Sequence, residues 1–140
     1  MLKEIVIEQR NTFKKEEKLK SRKLIELLFK EGKTFSNFPF RILYLFTEEN
    51  HSHLQSGFAV STKHFKKAVD RNRIKRLMRE AYRLQKLSLT ESLKRQSKFM
   101  IVFFIYTGNE IPDYKNVEEK IEAALKRLNK IVDEIPDANT

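Results

Sequence analysis

The segment FMIVFFIY, residues 99–106, is built from apolar and aromatic residues without a break. A strand alternates its side chains between two faces, so such a run needs cover on both, which predicts a central position in a sheet. Two more segments have strand character. FRILYLF, residues 40–46, follows a turn through Asn37 and Pro39. Its alternation puts Phe40, Ile42, Tyr44 and Phe46 on one face and Arg41, Leu43 and Leu45 on the other. Leu54–Ser61 reads as the third, with Gly57 near its middle marking a bulge or a close contact. Glu48–His53 between them is a polar loop.

Helical spacing accounts for the remainder. Ser21 is placed to cap a first helix in which Leu24, Ile25, Leu27, Leu28 and Phe29 form the apolar side. Gly32 supplies its stop, through the tolerance of glycine for positive φ. A last helix over about 116–132 carries the stripe Val117, Ile121, Ala124, Leu125, Leu128 and Ile131, with Asp113 or Asn116 as cap. With 140 residues the chain is one domain. The predicted class is α+β, a single sandwich in the order α-β-β-α-β-α. Residues 1–17 are expected to be an N-terminal arm, 18–132 the domain, and 133–140 a disordered tail.

Charge is the next constraint. The chain carries a formal +10, yet residues 63–86 alone hold ten basic and two acidic side chains, leaving +2 for the rest. A focused excess of one sign suits a polyanion, because each neutralised phosphate releases condensed counterions. Wound as a helix over 68–86, this segment places Ile74, Leu77, Met78, Ala81 and Tyr82 on one face. Asn72, Arg76, Arg79 and Arg83 fall within about 60° of one another on the opposite face. Lys75 and Lys86 flank that stripe, and Arg71 and Arg73 stand at its N-terminal end. Arginine predominates, and its planar fork of donors matches phosphate oxygens bidentately. Asn72 can contact a nucleotide, hold an arginine, ligate a hydrated cation through its carbonyl, or cap the helix.

The stretch Arg71-Asn72-Arg73-Ile74-Lys75-Arg76-Leu77-Met78-Arg79-Glu80 resembles the signature helix of the protein component of bacterial ribonuclease P. Leu19-Lys20-Ser21 leading to Phe29-Lys30-Glu31-Gly32 is similar to the family's start, and Gly57-Phe58-Ala59-Val60-Ser61 to the strand before its basic helix. The resemblance implies a ribosomal protein S5 domain 2-like sandwich, in which the strand ending near Ser61, the basic helix and strand 99–106 form a parallel β-α-β unit with a left-handed crossover. It implies a cytoplasmic protein that pairs with a large catalytic RNA to remove the 5′ leader of precursor tRNA. The RNA performs the hydrolysis with Mg²⁺, so no catalytic residue is expected on the protein. Carried over position by position, Arg71, Asn72, Arg73, Lys75, Arg76 and Arg79 contact the catalytic RNA, and Arg83 extends their stripe. The leader lies in a cleft between the sheet and the first helix, near Phe29, Ile25, Ser61 and Lys63. Arg41 would line any groove on the sheet. The chain departs from the family at Ile25, where many members have Phe, and at Thr62, where Lys is usual. Its loop 62–67 also lacks the common Gly.

Other functions fit less well. There is no Cys, which excludes thiolate zinc sites, and only 3 Gly leave little material for a phosphate-cradling loop, with no Walker or dinucleotide fingerprint present. No apolar run approaches the ~20 residues of a bilayer span. An autonomous metal nuclease needs converging carboxylates or histidines, and here the acidic residues are scattered. His51 and His53 share one loop without further ligands. A generic RNA-binding module such as a ribosomal protein is the alternative. A helix-turn-helix regulator ranks lower, because no short helix precedes the basic one.

Overall fold

The run at 99–106 is an inner strand of a four-stranded mixed sheet in the computed structural model of the chain, which describes residues 13–134. The strands are β1 (Lys33–Asn37), β2 (Phe40–Thr47), β3 (Leu54–Val60) and β4 (Phe99–Tyr106), in the spatial order β1-β2-β4-β3. Four α-helices accompany them: α1 (Arg22–Glu31), α2 (Ala68–Gln85), α3 (Leu87–Arg95) and α4 (Tyr114–Glu134). Both faces of β4 are covered, as its composition requires. Met100, Val102, Phe104 and Tyr106 pack with Ile74 and Met78 of α2, Leu89 and Leu93 of α3, and Ile121 and Leu128 of α4. Ile101, Phe103 and Ile105 turn the other way, toward Leu24, Ile25 and Leu28 of α1 and Leu19 before it. The two faces expected for residues 40–46 divide in the same manner between these clusters.

The order is richer than the α-β-β-α-β-α expected. Asn37, expected in a turn, is instead the last residue of β1, which was not expected and pairs antiparallel to β2 from Lys33↔Tyr44 to Asn37↔Phe40. Only Phe35 of this strand is buried, so KTFSN has no apolar alternation to announce it; backbone pairing along the edge of β2 makes it a strand. The helix after β3 is also two helices. Lys86, with φ −72° and ψ −18°, closes α2 and opens α3. Ser97, at φ 54°, ends α3. The crossover between the parallel pair β3 and β4, in register from Leu54↔Met100 to Val60↔Tyr106, therefore carries two helices.

The capping expectations separate. Ser21 Oγ accepts the Leu24 N–H at 3.3 Å, and Asp113 rather than Asn116 caps α4, its Oδ1 accepting the Asn116 N–H at 2.8 Å. Gly32 ends α1 for a different reason from the one expected. Its φ is −67°, ordinary extended backbone, but a Cβ there would run into the Leu28 carbonyl oxygen. Gly57 sits in an unbroken ladder, so it marks a close contact and not a bulge: an added Cβ would lie 2.9 Å from the Phe103 ring. The helix α4 continues to Glu134, while residues 1–12 of the expected arm and 135–140 of the expected tail lie outside the described residues.

One buried hydrogen bond ties α2 to the sheet: Ser56 Oγ donates to the Tyr82 hydroxyl at 2.6 Å. Burial pushes the Tyr82 hydroxyl well above its ordinary range, so it stays protonated. Tyr82→Phe would strand the Ser56 hydroxyl in the interior, at a cost of about 1–3 kcal/mol. Adding Ser56→Ala should recover part of that loss, because both partners are then gone. Chemical denaturation of the two single variants and the double variant checks this; strict additivity would contradict it.

Candidate nucleic-acid interface

The amphipathic pattern of α2 determines how it meets the sheet. Ile74, Met78, Ala81 and Tyr82 are buried, and Leu77, expected beside them, is half-buried. Asn72, Arg76 and Arg79 consequently face outward. Next to them runs an open groove of about 640 Å³. Gly57, Phe58 and Phe103 contribute from the sheet, Arg76, Arg79, Glu80 and Arg83 from α2, and Ile25 from α1. Phe13, Lys18, Leu19 and Lys20, on the segment before α1, complete the lining. The close approach of Gly57 to Phe103 keeps the sheet surface low here, where a larger residue would fill the groove.

The cations differ in how they are engaged. Among the described residues Arg76 and Arg79 make no ion pair or hydrogen bond. Arg83 forms a two-pronged pair with Glu80, Nη2 to Oε1 at 2.7 Å and Nε to Oε2 at 3.2 Å. That contact holds the Glu80 carboxyl below its usual range. Arg71 is committed to the preceding loop: Nη1 donates to the carbonyl oxygens of Phe65 and Lys66 at 2.8 and 2.7 Å. Arg73 is exposed and Lys75 half-buried. Lys86, expected to flank the stripe, is instead 3% exposed and ion-paired with Glu17. Asn72 does not cap, because α2 begins at Ala68 after Lys67, which puts Asn72 in the second turn.

The five residues expected near a leader are not gathered in one place. Ile25 lines the groove. Phe29 stands beside it, 52% exposed, with its ring edge-on to Phe103 at 5.6 Å. Arg41 lies on the same sheet face as Phe103 and Ile105 but toward β1, its Nε donating to Thr34 Oγ1 at 3.4 Å. Ser61 and Lys63 belong to the loop that leads into α2, where Ser61 Oγ accepts the Lys63 N–H at 3.3 Å. Sequence reasoning overlooked Phe13, Lys18 and Lys20, since a mixed-charge stretch with no period does not reveal that it docks against β3. Phe103 was legible only as core.

Among the described residues no three His, Cys, Asp or Glu side chains gather as a metal would need. His53 has a packing role, with its ring stacked on Phe99 at 4.1 Å and Nδ1 2.9 Å from the Lys98 carbonyl. Among the described residues no helix is long and apolar enough to cross a membrane.

The chain is similar in sequence and in fold to known proteins. The family profile described as Ribonuclease P matches residues 13–129. A ribonuclease P protein component of Porphyromonas gingivalis is 37% identical over 115 residues, covering 81% of this chain and 84% of that protein. One from Clostridium botulinum is 34% identical over 114 residues, covering 81% and 95%. In three dimensions the chain is similar to the RNase P protein of Thermotoga maritima, with TM-score 0.64, 30% identity, and 79% and 96% covered. It shares its fold with the Staphylococcus aureus RNase P protein, at TM-score 0.62 and 24% identity over 79% of this chain and 94% of that one.

Proposed function

The chain belongs to the family of bacterial ribonuclease P protein components, and from that membership we propose that it binds the catalytic RNA through α2 and the 5′ leader of precursor tRNA along the groove beside it. It is the protein part of a ribonucleoprotein endoribonuclease that processes tRNA. The observation that supports the finer reading most is the row Arg76, Arg79 and Arg83 at the lip of an open groove that also carries phenylalanine rings. Guanidinium groups neutralise phosphates, and aromatic rings stack on unpaired bases with little regard to sequence.

In this reading Arg73, Lys75, Arg76, Arg79 and Arg83 contact phosphates of the catalytic RNA, and Arg71 steadies the loop at the helix start. Asn72 contacts the RNA or a cation that RNA phosphates also hold. Mg²⁺ belongs mainly to the RNA, which supplies the hydrolytic chemistry. Ile25, Phe29, Ser61, Lys63 and Arg41 mark the leader's course. The β3–β4 crossover is left-handed, and the RNA-binding domain takes in residues 13–17, which pack on β3 and α2, and runs to the end of α4 at Glu134. The protein has no nuclease activity of its own. It lets two polyanions approach, which lowers the bulk Mg²⁺ needed to screen them.

Mixing the protein with a bacterial catalytic RNA and precursor tRNA at limiting Mg²⁺ should give cleavage that neither component gives alone. Stimulation should grow with leader length until the groove is full. Equal stimulation of a leaderless substrate would count against the groove. Cleavage by RNase-treated, repurified protein alone would overturn the scheme.

A further inference from the structure

Two cations outside the signature helix, Lys18 and Lys20, also line the groove. Their segment runs beside β3: Lys18 bridges in parallel to Ser56, and the Leu19 N–H donates to the Ser56 carbonyl at 2.9 Å. Gln55 Nε2 adds a hydrogen bond to the Glu16 carbonyl at 2.9 Å. Like charges facing Arg76 and Arg79 across a groove repel, so something must hold this segment in place. Glu17 does so. One of its carboxylate oxygens accepts the Lys14 N–H at 2.6 Å, closing the turn Lys15–Glu17, and the other is paired with the Lys86 ammonium. Lys86 is buried at the junction of α2 and α3, so the pair fastens the segment to the helix that carries the arginines. Above the pair, the Phe13 ring packs edge-on against Phe58 and Tyr82 at 6.0 and 5.5 Å. The Lys18 and Lys86 ammonium groups approach that ring to 5.8 and 5.7 Å from its centroid.

A buried ion pair is seldom more stabilising than an apolar replacement. What this one provides is location. Resting on the reading of the groove given above, we infer that Lys18 and Lys20 form a second cationic wall that contacts RNA phosphates, and that the Glu17–Lys86 pair positions that wall. Lys86, basic in sequence, is buried beside Glu17 and is not part of the groove's lining. The phosphates come from an unpaired strand in the groove or from the catalytic RNA, and binding separates the two sources.

The probes are a labelled single-stranded octamer of uridine and a bacterial catalytic RNA, each titrated with intact protein over a range of salt. The double variant K18A/K20A should lower affinity roughly tenfold at about 0.15 M salt and flatten the log–log salt slope by about 1.4. K18R/K20R should restore both. The double variant E17A/K86M removes one charge of each sign, so net charge is unchanged. It should reproduce the loss and add nothing when combined with K18A/K20A. E17Q/K86Q, which keeps a neutral hydrogen bond, should bind as wild type. Loss on the octamer assigns the phosphates to a single strand and loss on the catalytic RNA alone assigns them there; either supports the wall. Unchanged affinity and slope on both RNAs in K18A/K20A overturns it. Loss in K18A/K20A with wild-type binding in E17A/K86M overturns the positioning role. If wild-type protein binds neither RNA, the reading of the groove itself has failed.

Discussion

Arg76→Ala combined with Arg79→Ala is expected to weaken binding to the catalytic RNA roughly 30-fold at about 0.15 M salt and to reduce the salt slope by about 1.8. Both side chains are exposed, line the groove, and are without ion-pair partners among the described residues. Every phosphate contact they make therefore exchanges condensed counterions for a guanidinium, with no internal bond to break first. For the same reason the fold should scarcely notice, with stability unchanged to within about 0.5 kcal/mol. The informative control removes two positive charges elsewhere. Lys126 and Lys130 are exposed on α4 and pair with Glu122 and Glu134. Lys126→Ala with Lys130→Ala lowers net charge equally but should leave the slope near that of wild type. If the two double variants lose affinity alike, net charge and not the α2 stripe carries binding. Arg71→Ala is a less clean probe, because its guanidinium also clamps two loop carbonyls.

Phe104→Ala should destabilise the fold by about 3–5 kcal/mol, a large part of the ~5–15 kcal/mol that holds a domain of this kind together. Phe104 is fully buried on β4, stacked on Phe58 at 5.4 Å and tilted against Tyr82 at 5.6 Å. Truncation would open a cavity between the sheet and α2 that neither ring can fill without leaving its other contacts. The melting temperature should fall by roughly 10–20 °C. Phe38→Ala makes the contrast: that ring is 75% exposed at the turn between β1 and β2, so its removal should change stability by less than about 0.5 kcal/mol. Calorimetric melts of the two variants decide the matter, and comparable losses would mean that the burial described for β4 is wrong.

Those two phenylalanines show where local sequence stops being informative. Side chains repeat every second residue in a strand and every 3.6 in a helix, so a segment's own letters state which of its faces is apolar. That was enough to identify β4 as an inner strand, to give α2 a buried and a cationic face, to place a cap at Ser21 and to narrow the other to Asp113 or Asn116. The signature from Arg71 to Glu80 added the family, because spacing of arginines on one helix is likewise a local property. No such record exists for contacts between distant segments. The strand β1, with one buried apolar residue, exists because β2 offers it an edge to pair with. The buried ammonium of Lys86 pairs with Glu17, 69 residues away along the chain. Arg71 and Arg76 look equivalent in a list of charges, yet one bonds to a loop and the other faces open solvent. Sequence alone determined which faces were apolar and which charges were focused. Tertiary structure decided which charges remained available to a ligand, because a charge's availability depends on what packs against it, and that neighbour is chosen by the whole fold.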